Sequence, residues 1–112
     1  MPDGKGSAAI EERRQHERVP ARIAVQFSHP SEAARVLHAY SLNFSVGGLC
    51  LRTRRTYEIG EPLRLELQVD SRVFRLSGAV AWIRPGAVGV RFTDVTDEDR
   101  ERLEHLVAEF RR

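Results

Sequence analysis

The chain has 112 residues, enough for one domain with a modest core and too few for two. Its 18 basic and 16 acidic side chains leave a net charge of only +2. That balance argues against a strong non-specific polyanion binder, so any anion recognition has to be local. The lone cysteine, Cys50, excludes an internal disulfide and points to a reducing compartment. No apolar run approaches the length of a membrane span and no secretory signal is visible, so a cytoplasmic protein is expected.

Residues 1–12 (MPDGKGSAAIEE) lack apolar period and are rich in small and polar residues; they read as a flexible tail. ERRQHERVP follows, with Arg13, Arg14 and Arg18 half neutralised by Glu12 and Glu17. From Val19 to Ser28 the pattern is that of a strand, with Ile23, Val25 and Phe27 on one face. Residues 29–33 form a loop, and Arg35 to Leu42 a second strand that NFSVGG (Asn43 to Gly48) breaks. In that break Asn43 and Ser45 are expected to bond their own backbone and the glycines to supply positive φ. Leu49 to Thr53 resumes as a strand around Cys50, whose bland reading is a buried inert thiol.

Leu63 to Val69 alternates most clearly, with the leucines and Val69 inward. Val73 to Arg84 is a long strand whose Phe74, Leu76, Val80 and Trp82 share a face, so Trp82 reads as core; Gly78 suits a bend there. Val88 to Phe92 closes the series. The period then becomes helical: Thr96 is an N-cap, acids fill the first turn, and Leu103, Leu106, Val107 and Phe110 make one stripe. The expected fold is mainly β, a six-stranded antiparallel barrel over residues 19–93, because closure removes exposed edges. One C-terminal helix over residues 96–111 completes it.

No arrangement of nucleophile, base and orienting acid stands out, so an enzyme is not expected. The four histidines are scattered without metal-ligand spacing, and no metal is expected. Two polar stretches remain, the arginine leader and NFSVGG. A hairpin around residues 29–35 that pairs Ser28 with Val36 carries Arg18 opposite Val46, at the same end of the barrel as NFSVGG. Forked guanidiniums beside short polar side chains suit phosphate and the edge of guanine.

These stretches resemble the signature of the PilZ domain family, bacterial receptors of cyclic di-GMP. The family pattern is RxxxR, often with an arginine in front, then [DN]xSxxG. Here Arg14 and Arg18 fill the first, Arg13 stands in front, and Asn43, Ser45 and Gly48 fill the second. The resemblance runs from Glu12 to Phe110 and includes the closing strands GAVAWIR and VGVRF. It implies a six-stranded barrel with a C-terminal helix and a switch segment at residues 13–18 that folds over the ligand. Arg14 and Arg18 would clamp cyclic di-GMP with Arg13 assisting. Asn43, an amide where aspartate often stands, and Ser45 would hydrogen-bond it, and Gly48 would permit the turn. No separate cofactor is implied. The consequence would be regulation of an unidentified protein effector in motility, exopolysaccharide or biofilm processes. Two alternatives differ in class. One is a nucleotide-independent adaptor. The other is a nucleic-acid-binding barrel, suggested by RTRR (Arg52 to Arg55) but opposed by the near-neutral charge and by a lack of exposed aromatic residues for base stacking, so DNA or RNA is not an expected partner. The bland reading of RTRR is a solvated strand end.

Overall fold

The structure is a computed structural model that describes residues 17–32 and 34–111. The expected tail at residues 1–12 and most of the switch segment, Arg13 and Arg14 included, lie outside the described residues. Strands β1 (Val19–Pro20), β2 (Ala24–Ser28), β3 (Leu37–Phe44), β4 (Gly48–Arg52), β5 (Pro62–Val69), β6 (Arg72–Arg84) and β7 (Ala87–Thr93) precede helix α1 (Asp97–Phe110). All pairings are antiparallel. The order β3-β2-β5-β6-β7-β4 returns to β3, so six strands close into a barrel and the short β1 extends from β3.

The alternation of the sequence builds the inside. Val25 and Phe27 of β2, Leu63, Leu65 and Leu67 of β5, Phe74, Leu76 and Val80 of β6, and Val88, Val90 and Phe92 of β7 join one buried cluster. Leu103, Leu106 and Val107 of α1 belong to the same cluster, each at most 3% exposed. Thr96 caps α1 as its sequence suggests: its Oγ1 accepts from the Asp99 amide at 3.1 Å. At the other end Arg72 grips Glu109 through two bonds of 2.6 and 2.9 Å, and the Arg102 guanidinium lies 4.4 Å from the Phe74 ring centroid.

Three details differ from the sequence reading. First, the strand expected from Val19 to Ser28 is two strands. The gap at residues 21–23 is filled by Ser41, only 1% exposed, whose hydroxyl accepts from the Ile23 amide at 2.9 Å and donates to the Ala21 carbonyl at 2.5 Å. Second, β3 continues through Asn43 and Phe44, so the break begins at Ser45. Third, Trp82 is absent from the core. A register shift between Val80 and Trp82 turns it onto the outer face, where it is only partly buried. Pro85 and Gly86 make the tight β6–β7 turn, with Gly86 at φ 79°, a value that glycine adopts without strain.

Candidate functional site

The irregularity of β3 beside Ser41 decides which residue Arg18 meets. Along β2 the pairing is the one the hairpin implies, with Val25 opposite Ala39 and Phe27 opposite Leu37. Beyond the gap it slips by one residue: Val19 faces Phe44 and Pro20 faces Asn43. Val19 keeps the parity of Ile23, Val25 and Phe27 and goes inward, 3% exposed, so the slip falls on β3, between Ser41 and Asn43, where it brings Phe44 inward, 0% exposed, and turns Asn43 outward. Arg18 goes outward with Asn43 and donates from Nη1 to its Oδ1 at 2.8 Å.

The Ser45–Gly48 turn is built into the barrel wall. The Ser45 hydroxyl, 2% exposed, accepts from the amides of Gly47 and Gly48 and donates to the Gly48 carbonyl, each at 3.2 Å. The Ser45 amide adds a bond of 2.8 Å to the same carbonyl, and the Phe92 amide donates to the Gly47 carbonyl at 2.9 Å. Neither Gly47 nor Gly48 has positive φ, contrary to expectation. Gly48 answers to space instead: a Cβ there would sit 2.1 Å from the Val90 carbonyl oxygen.

Strand pairing extends the site beyond the two motifs. Asn43 faces Cys50, Cys50 faces Gly89, and Gly89 faces Trp82. Directly opposed residues share a face, so these four form one row across β3, β4, β7 and β6, about 14 Å long at the usual strand spacing. Trp82 lies over Gly89 so closely that a Cβ at Gly89 would meet its ring at 2.1 Å. An arginine stands at each end of the row: Arg18 is bonded to Asn43, and the Arg84 guanidinium lies 4.7 Å from the Trp82 ring centroid. Between them Cys50 is buried, as expected. Burial raises its thiol pKa, while Arg18 and Arg84 both pull it down. The middle of the row thus lies in a field of two cations.

Sequence reasoning missed Trp82, Gly89 and Arg84 as members of this face. The signal was present in RPGA: a two-residue turn at Pro85–Gly86 forces Arg84 onto Ala87 and hence Trp82 onto Gly89. It also missed a tie at the other end. Arg111, just past α1, donates to both carboxylate oxygens of Glu17 at 2.6 and 3.1 Å. The expected lack of exposed aromatics is corrected too: Tyr40 on β3 is 48% exposed, with the Arg22 guanidinium 4.0 Å from its ring centroid. Among the described residues no group of three or more His, Cys, Asp or Glu could hold a metal ion, and no helix is long and apolar enough to cross a membrane.

A closed six-stranded antiparallel barrel with a C-terminal helix, carrying an arginine-flanked row on its wall, defines a small closed barrel rather than an open sheet or a sandwich. The PilZ domain family matches residues 12–109, and the chain belongs to that family. Solved structures agree in fold. The PilZ domain of YcgR from Escherichia coli, solved with c-di-GMP, is 16% identical with a TM-score of 0.75, covering 88% of this chain and 92% of its own. The Bacillus subtilis inhibitor of motility MotI/DgrA is 20% identical with a TM-score of 0.71 over 87% of this chain; the match spans only 50% of that protein. The PilZ domain of CeSA from a cellulose-synthesizing bacterium is 15% identical with a TM-score of 0.71, covering 86% of this chain and 99% of its own. At such identities the likeness is one of fold. No curated protein sequence matches the chain.

Proposed function

We propose that this protein is a receptor, not an enzyme, that binds cyclic di-GMP on the outer face of β3, β4, β7 and β6 and passes the event to a protein effector. The observation that carries this is the row Asn43–Cys50–Gly89–Trp82 with an arginine at each end. Its chemistry suits a guanine dinucleotide. Guanidinium forks take phosphate or the guanine edge, and the indole gives a planar surface for a base. The YcgR PilZ domain of the same fold is one solved with c-di-GMP.

In this account Arg18 and Arg14 clamp the ligand, with Arg13 assisting, and Asn43 contributes its amide. Ser45 acts through the turn, since its hydroxyl is already occupied by backbone partners. Gly48 lets β4 approach β7. Glu17 lies between the two clamping arginines and is held by Arg111. Drawing Arg14 and Arg18 onto the ligand moves Glu17 from Arg111 and frees the end of α1, which gives the effector a new surface to read. A cytoplasmic site of action goes with such a ligand, and motility, exopolysaccharide or biofilm control are the processes in view.

Isothermal titration with cyclic di-GMP tests the proposal. Saturable heat is expected, weakened by about 2–3 kcal/mol in Arg18→Ala, the worth of a charge-assisted bond. No heat at high micromolar ligand would sink it.

A further inference from the structure

RTRR has no part in the row, yet it builds a second concave surface. A cavity of about 460 Å³ is lined by Arg52, Arg54, Arg55, Thr53 and Gly86, with His38 and the apolar Phe27 and Leu37 at its wall. It lies toward the end of β4 away from Gly48, where Arg52 pairs with Ala87 beside the Pro85–Gly86 turn. The loop that carries the arginines is pinned: the Thr53 amide donates to the Gly86 carbonyl at 3.0 Å, and the Arg55 amide to Thr53 Oγ1 at 3.2 Å.

Charge gives this cavity its character. Arg52, Arg54 and Arg55 all line it, and none of them has an ion pair among the described residues. Three exposed guanidiniums converge on one concavity with an imidazole and no acid in its lining.

We infer that this cavity is a second anion site, which takes the phosphate group of a phosphorylated small molecule. Three guanidiniums exceed what one carboxylate uses, and a phosphate monoester or diphosphate carries the matching charge and acceptors. The apolar wall of Phe27 and Leu37 suits the organic part, and the volume falls within the range of about 300–1,000 Å³ typical of small-ligand pockets. The β3–β4 pairing ends at Ser41 and Leu51, so the cavity opens where Leu37 and His38 part from Arg52–Arg55. The inference does not depend on the cyclic di-GMP proposal.

The test is ¹H–¹⁵N spectroscopy of the full chain titrated with pyrophosphate at constant ionic strength. Saturable shifts at the amides of Thr53, Arg55 and Gly86 are expected. Arg54→Ala combined with Arg55→Ala should weaken them at least about tenfold, or about 1.4 kcal/mol, while Arg18→Ala leaves them in place. The same spectra report whether a variant is folded, and Arg52→Gln alone provides a second variant with the same expected direction. Shifts confined to Arg18 and Asn43, no saturation, or wild-type affinity in the folded variants would overturn the inference. Once pyrophosphate binds as expected, co-sedimentation with phosphatidic acid vesicles, absent with phosphatidylcholine alone, assigns the phosphate to a lipid headgroup; no co-sedimentation assigns it to a soluble ester.

Discussion

The two halves of the PilZ motif are held in opposite ways. The Ser45–Gly48 turn is buried at both ends, bonded to its own backbone and wedged against β7. Arg18, by contrast, is exposed and, among the described residues, its side-chain hydrogen bond to the barrel is the one to Asn43, while Glu17 before it is tied to Arg111. One half is scaffold and the other is attached to it. The lesson is that residues in one binding motif can act through different free energies. Substitutions in the turn should be read mainly in stability, and those in the arginine segment mainly in ligand affinity.

The sharpest test is Gly48→Ala. Its Cβ would lie 2.1 Å from a backbone oxygen that cannot rotate away. Chemical denaturation should show a loss of about 3 kcal/mol or more. An unchanged midpoint would mean that the turn yields and is no scaffold. Arg18→Ala should do the reverse. It loses about 2–3 kcal/mol of cyclic di-GMP affinity in calorimetry. Its unfolding free energy stays within about 0.5 kcal/mol of wild type, as at an ordinary surface position. Ser45→Ala should cost about 2 kcal/mol of stability, because it leaves turn amides unpaired in a buried site, and it should cost less affinity than Arg18→Ala.

Alkaline pH probes the middle of the row. Cys50 has its pKa raised above the ordinary 9.0 by burial, so the unfolded chain gives up this proton before the folded one. The stability it contributes is intact below about pH 9 and is lost as pH rises through the folded value. Cys50→Ala should flatten that part of the stability profile, and the wild-type thiol should resist alkylation in the native state at pH 8. Rapid alkylation would show that the Cys50 thiol is open to solvent in the folded chain. The smallest effect belongs to Glu17→Gln. The pair is about half exposed on both sides, so unfolding should change by no more than about 1 kcal/mol. Loosening of the Arg111 end of α1, seen in amide exchange, is the expected sign of the tie.

The barrel was legible because alternation is a direct image of burial. Leu63, Leu65, Leu67 and Val69 are all inside, and the β2–β3 pairing follows from loop length. The break in the first strand was not legible, because it depends on the Ser41 hydroxyl standing in for a backbone partner. The slip beside Ser41 on β3 turns Asn43 outward, where it meets an Arg18 that plain alternation with Val19, Ile23, Val25 and Phe27 had already placed outside. Trp82 was misread for a related reason: a bulge removes one step of alternation, and composition does not announce it. The motif residues that the structure describes, Arg18, Asn43, Ser45 and Gly48, do meet at one end of the barrel. The Glu17–Arg111 contact joins residues 94 apart, and no local pattern encodes such a pair.

The chain's single tryptophan lies at the far end of the row from Arg18, so one optical titration spans the whole site. Adding cyclic di-GMP should change Trp82 fluorescence saturably, with the same midpoint as the calorimetric heat, and Arg18→Ala should shift both midpoints together. Heat of binding with no change in Trp82 emission would show that the ligand does not occupy the row, and would contradict the site described for this PilZ domain.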